Sequence, residues 1–186
     1  MTVEEIFGQI GQHMVEGLMV HTQLSDYFEF LGLKGYHKCH EYHYFDESRN
    51  FRKMSSYYLK HYNKIITNSH VANPQVIPDS WYKYSRQQVD TATRKTGIVN
   101  GFEKWINWET ETLKLYQSLH KELVDLNEVA AALELEEYIK DVSEELSVAS
   151  QKLLELKIVD FNLSNIIDEQ SAIYEKYSKK IKVITL

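Results

Sequence analysis

Both prolines of this chain, Pro74 and Pro78, fall in one stretch between Thr67 and Gly101. Proline removes a backbone donor and clashes with the preceding helical turn, and glycine costs about 1 kcal/mol in a helix interior. With only 2 prolines and 7 glycines in 186 residues, the rest of the chain is free to form long uninterrupted helices. No strand-like alternation, internal repeat or low-complexity run competes with that reading. The chain is expected to be all-α.

Apolar periodicity places the helices. Thr2 followed by Glu4 and Glu5 reads as a cap and an acidic first turn, opening a helix that runs to about Leu31. Its inward stripe is Ile6, Ile10, Met14, Gly17, His21, Leu24, Phe28 and Leu31. The short turn Gly32 to Gly35 makes the second helix an antiparallel neighbour, ending near Ile66 or Asn68. The stretch 67–101 carries the turn signals, with Trp81, Tyr82 and Tyr84 as anchors and a short helix of its own within 79–95. It is long enough to travel the length of a bundle and return. Asn100 to Glu103 resembles a capping box opening a third helix, and Asn127-Glu128 separates it from a fourth. The fourth stripe is Leu135, Tyr138, Val142, Glu145, Ala149, Leu153 and Leu156. Ser164 or Asn165 caps a fifth helix through about Lys182, so residues 1–186 read as a single helical domain.

The second helix carries the chemistry. Residues three and four apart share a helix face, and one face runs Tyr36, His40, His43, Glu47, Asn50, Met54, Tyr57 or Tyr58, His61, Ile65. Imidazoles and a carboxylate on a core-facing stripe cost free energy unless they are paired or bound to a cation. One reading is a hydrogen-bonded polar pocket or an oligomer contact. The other is a metal site in which His43 and Glu47, at i and i+4, ligate with a carboxylate from the third or fourth helix. Periodicity puts Glu109 and Glu145 on the inward stripes of those helices. Neutral imidazole with carboxylate suits iron, zinc or manganese. His21 reads as a core or interface histidine, and His120 lies too far along its helix from Glu109 to share one site.

Charge and composition exclude other classes. A net charge of −6 without a basic patch argues against nucleic acid as a partner. No apolar run approaches the roughly 18 residues that span a bilayer, and the acidic N-terminus does not read as a signal peptide. Cys39 is the single cysteine, which excludes an internal disulfide and suits a reducing, cytoplasmic setting. No phosphate loop, nucleophile triad or zinc-type cysteine cluster is present. Aromatic residues, including Trp81, Tyr82, Tyr84 and the outer tyrosines of the second helix, exceed what one bundle core accommodates, so a homo-oligomer is expected.

Helix pair, long crossover, helix pair is the layout of the ferritin-like superfamily. The run YFEFLGLKGY, Tyr27 to Tyr36, resembles the end of the first ferritin helix, its turn and the start of the second. The stretches KWINWETETLKLYQSLHKELVDL and EEYIKDVSEELSVASQKLLEL resemble the third and fourth helices. Cys39-His40-Glu41 is similar to a run in the mini-ferritins. The resemblance implies an up-down-down-up four-helix bundle with a fifth C-terminal helix. It also implies a carboxylate/histidine centre of diiron type, with iron as cofactor and iron oxidation or storage as function. Aligned after LGLKG, the family's second-helix Glu falls on Glu47, its His position on Asn50, and its first-helix Glu position on Met14. The spacing of its third- and fourth-helix carboxylates matches Glu111 and Glu144. An altered metal centre drawn from His43, Glu47, Glu109, Glu111, Glu144 and Glu145 is therefore one expectation. A metal-free structural or interaction protein built on the same bundle is the other.

Overall fold

The computed structural model of the chain describes residues 1–66, 74–77, 81, 84, 85 and 88–185. Five helices follow in order: α1 (Val3–Phe30), α2 (Lys34–Tyr62), α3 (Thr91–Asp125), α4 (Val129–Ile158) and α5 (Leu163–Ile184). α1 opens with a capping box in which Glu5 N–H donates to Thr2 Oγ1 at 3.2 Å and Thr2 N–H to Glu5 Oε2 at 2.8 Å. It ends where Gly32 takes a φ of 84°, a value that glycine adopts without steric cost. Phe7 stacks near Tyr57 and Tyr58 at one end while Phe28 meets Tyr36 at the other, so α1 and α2 are antiparallel. Across α1 and α3, Phe28 meets Phe102 near one end and His13 meets Trp108 and Tyr116 further along, so that pair is antiparallel as well. α3 turns into α4 through Asn127, at φ 61°. The order is up-down-down-up: α2 ends beside Phe7 and α3 begins beside Leu31, at opposite ends of the bundle.

Two helix limits differ from the sequence expectation. α3 starts at Thr91, its cap ten residues before Asn100, because Asp90 accepts from Thr93 N–H at 2.7 Å and caps the helix there. Gly97 and Gly101 then serve as points of close approach inside the helix: a Cβ at Gly97 would lie 2.7 Å from Trp81, and one at Gly101 2.9 Å from Phe28. α2 ends earlier than expected, at Tyr62, where Asn63 takes a left-handed conformation, so Ile65 lies beyond it and exposed. Trp81 is buried against Tyr27 and Phe30 and anchors the crossover within the chain, so it is not free for a subunit contact. Tyr84 is exposed and Tyr82 lies outside the described residues; of the short helix expected within 79–95, residues 79, 80, 82, 83, 86 and 87 lie outside them, and 91–95 belong to α3.

α5 lies against α2 and supplies what that helix lacks. Leu33 offers no side-chain cap to the first N–H groups of α2. Gln170 Oε1 accepts from Gly35 N–H at 2.8 Å and from Tyr36 N–H at 3.4 Å instead. Gly35 permits this approach, since a Cβ there would sit 2.8 Å from the Gln170 carbonyl and 2.9 Å from Ile173 Cβ. Gly35→Ala is therefore expected to cost about 1–3 kcal/mol by overpacking and cap loss. Denaturant unfolding checks this, and a variant as stable as the parent would show that α5 does not hold α2 in this way.

The apolar core falls into two clusters. One surrounds the α1–α2 turn, with Leu24, Phe28, Leu31, Phe102, Trp105 and Leu153. The other occupies the opposite half, with Ile6, Ile10, Met54, Tyr58, Leu119 and Leu135. Buried polar residues of all three long-packed helices, His21, His40, His43 and Glu109, lie between them. That polar belt is where the site is built.

Candidate metal centre

Each of the four bundle helices contributes to the belt. From α1 comes His21, whose Nε2 lies 3.7 Å from Glu109 Oε1 on α3. From α2 comes His43, with Nδ1 3.0 Å from Glu145 Oε1 on α4. This last pair is close enough for an ion pair but forms no directed hydrogen bond, and His43 Nδ1 remains without a hydrogen-bond partner. Donor atoms of His21, Glu109 and Glu145 all lie within 4.8 Å of one another. Two ligands on one ion at ~2.1 Å are separated by ~3–4 Å, so small side-chain movements would close this set around a cation.

A second ring of contacts orients the first. His21 Nδ1 lies 3.1 Å from His40 Nδ1, which leaves His21 Nε2 to face the carboxylates. His43 Nε2 lies 3.5 Å from Cys39 Sγ, which leaves Nδ1 toward Glu145. Trp105 Nε1–H donates to Glu109 Oε1 at 3.1 Å. Histidines that bind metals ordinarily bond through the second ring nitrogen to such partners, fixing tautomer and ring plane. His40 itself is stacked on Phe28 and edge-on to Trp105, and its Nε2 is buried without a partner.

The electrostatics of these groups suit a cation. Burial first, and then Glu145, push the Glu109 carboxyl well above the usual range. Burial first, and then neighbouring imidazoles, hold His21 and His40 well below theirs, so both are neutral and carry free lone pairs. His43 is the exception: burial works to lower it, but Glu145 beside it prevails and raises it well above its ordinary value. A dication among these groups would ionise the buried Glu109 and give it a counter-charge beside the half-buried Glu145.

The candidate residues separate by face. Glu109 and Glu145 point into the belt. Glu111 is exposed on the outer face of α3, and Glu144 is exposed on α4 beside Lys140 at 3.9 Å. Glu47 is half-buried one turn beyond His43, beside Met14, Asn50, Tyr116 and Tyr138. It lies close to the backbone of α1, where a Cβ at Gly17 would be 3.4 Å from its carboxylate, an ordinary contact distance. Of the positions that match the ferritin pattern, Met14, Glu47 and Asn50 gather, with a thioether and an amide among the donors, whereas Glu111 and Glu144 turn outward. The imidazole-rich cluster lies one turn nearer the α1–α2 turn. His21 is the member that sequence reasoning discounted; its place on the apolar stripe of α1 was the available signal. His120 pairs with Glu136 at 3.1 Å on the surface, away from the belt.

Glu47 gives the metal-free protein a pH dependence. Its carboxyl is pushed up from 4.5 to about 8, by burial first and then by Glu145 and Asp46. The folded state therefore prefers the protonated form: its contribution is fully present below pH 4.5 and is lost as pH rises toward 8. Because Glu47 is only half-buried, the loss is set on the order of 2 kcal/mol, below the full value of the shift. Glu47→Gln is expected to remove this decline. Chemical denaturation of metal-free protein at about pH 5 and about pH 8 measures it, and equal slopes in variant and parent would contradict it.

No family model matches the sequence, and no curated protein is detectably similar to it. Structural likeness is extensive. A ferritin of Archaeoglobus fulgidus engineered into a closed form superposes with a TM-score of 0.75 at 14% identity, covering 94% of this chain and 96% of that one. A humanized archaeal ferritin gives a TM-score of 0.75 at 14% identity, with 92% and 94% covered. The open-pore ferritin of the hyperthermophilic archaeon Archaeoglobus fulgidus gives 0.74 at 15% identity, with 92% and 94% covered. The fold is ferritin-like. No helix among the described residues is long and apolar enough to cross a membrane.

Proposed function

We propose that this protein binds a divalent transition metal, iron foremost, at an altered carboxylate/histidine centre formed by His21, His43, Glu109 and Glu145. The observation that carries the reading is the convergence of His21, Glu109 and Glu145 donor atoms within 4.8 Å, between two apolar clusters. Bound iron would supply one-electron redox chemistry, and the likeness to ferritin structures supports a role in iron oxidation or storage. The chain's own part is to hold two imidazole edges, His21 neutral and His43 giving up its proton to an incoming ion, and two carboxylates toward one point, with their orientation fixed through His40, Cys39 and Trp105. Zinc and manganese suit the same donors, so competition among the three metals decides between them.

Metal analysis of the purified protein, followed by anaerobic titration with ferrous iron and then admission of air, tests the reading. About one ion per chain at the first saturating step is expected for a single mixed N/O site. Metal at background and no titratable binding would contradict the proposal and favour a metal-free bundle protein, its belt held by the His43–Glu145 and Trp105–Glu109 pairs alone.

A further inference from the structure

The belt is not sealed on every side. A cleft of about 340 Å³ opens between α2 and α4 with α5 along its rim, and His43 and Glu145 are part of its wall. A neighbouring cavity of about 230 Å³ shares Trp105, Val148, Lys176 and Tyr177 with it and continues to Tyr36 and Ile173. Spaces of this size, with aromatic walls and a few polar groups, suit small organic molecules rather than a bare ion.

The charges of the cleft are unequally matched. Asp46 is held by Arg49 at 2.5 Å, Glu145 by His43 at 3.0 Å, and Glu144 lies 3.9 Å from Lys140. Asp141 is raised above its ordinary range, by burial first and then by Glu145 and Glu144, with Arg49 a lesser opposing influence. Lys176 and Lys180, by contrast, have no carboxylate within ion-pair distance among the described residues. Their ammonium groups rest over aromatic rings instead: Lys176 over Tyr177 at 5.1 Å, and Lys180 over Tyr42 at 4.7 Å. Two cations without a carboxylate partner therefore stand beside an aromatic slot, and the buried His43, its Nδ1 3.0 Å from Glu145, lies in its wall.

We propose that this cleft binds a small organic carboxylate with an apolar body, its head group on Lys176 and Lys180 and its body along Trp105, Val148 and Tyr177, next to His43. Binding in the cleft stands apart from the metal reading; the ligand's contact with a metal-bearing centre rests on it.

Titration of the full chain with benzoate and hexanoate, with benzamide as the neutral counterpart, tests this in two arms. In the metal-free arm, calorimetry and ligand-observed NMR should detect both carboxylates and little benzamide. Lys176→Ala with Lys180→Ala should weaken binding at least about fivefold, as expected for losing two partly exposed ion pairs, and the corresponding double Arg variant should retain it. In the second arm, benzoate should shift the visible spectrum of cobalt bound at the centre. Absent carboxylate binding, equal binding of benzamide, or indifference to the double Ala change would overturn the cleft assignment. Binding that leaves the cobalt spectrum unmoved would overturn its adjacency to His43. If cobalt fails to load, the metal reading falls while the metal-free arm still decides the cleft.

Discussion

Replacing Glu109 with alanine is expected to lower metal affinity by more than a hundredfold while leaving the metal-free protein at least as stable as the parent. Loss of a supporting hydrogen bond behind a metal ligand typically costs ~10–100-fold in affinity, so loss of a buried ligand itself must exceed that. The stability half follows from the proton. Burial and Glu145 raise the Glu109 carboxyl well above its ordinary range, so in the metal-free fold it is a buried acid whose ionised form is disfavoured. Removing it relieves that strain, at the cost of a small cavity and of leaving Trp105 Nε1 without an acceptor. Glu109→Gln separates the two effects, because an amide still accepts from the indole but brings no charge. Calorimetric metal titration beside denaturant unfolding reads both. If Glu109→Ala unfolds the protein or leaves metal binding intact, Glu109 is a structural acid and not a ligand.

Trp105→Ala should be the most damaging single change to the fold, about 3–5 kcal/mol by the usual cost of emptying a large aromatic site. Trp105 is 1% exposed, joins the cluster near the α1–α2 turn, and borders the polar belt through Glu109 and His40. Its ring stands edge-on to His40 with centroids 4.5 Å apart. Emptying this position removes apolar packing and lets water reach a set of groups that are held dry. Trp105→Phe retains most of the ring and isolates the lost N–H donor, with an expected cost nearer 1–2 kcal/mol. Thermal or denaturant unfolding of both variants checks the ranking. A Trp105→Phe protein as unstable as Trp105→Ala would place the weight on the Glu109 bond and not on packing.

The bundle was legible because its signals are local and redundant. The stripes of α3 and α4 alternate through Phe102, Trp105, Glu109, Tyr116 and Leu135, Tyr138, Val142, Ala149, and all of these are buried. The start of α3 was misread because Asn100 and Glu103 satisfy a capping pattern inside a helix, whereas the acting cap is Asp90. Spacing also could not register the four helices against each other. Glu109 and Glu111 differ by two residues, which turns one inward and the other to solvent, and the family alignment favoured the outer one. His21 meets Glu109 only after α1 and α3 pack antiparallel, a relation with no trace in local sequence. The role of α5 was hidden for the same reason: Gly35 and Gln170 are 135 residues apart in the chain.

The central claim is that one ion is held by groups from four helices, and a crystal grown with ferrous iron or its cobalt surrogate tests it most directly. Anomalous difference density should show one peak at ~2.0–2.2 Å from His21 Nε2, His43 Nδ1 and carboxylate oxygens of Glu109 and Glu145. Density instead between Glu47, Asn50 and Met14, or none within the belt at saturating metal, would contradict the account.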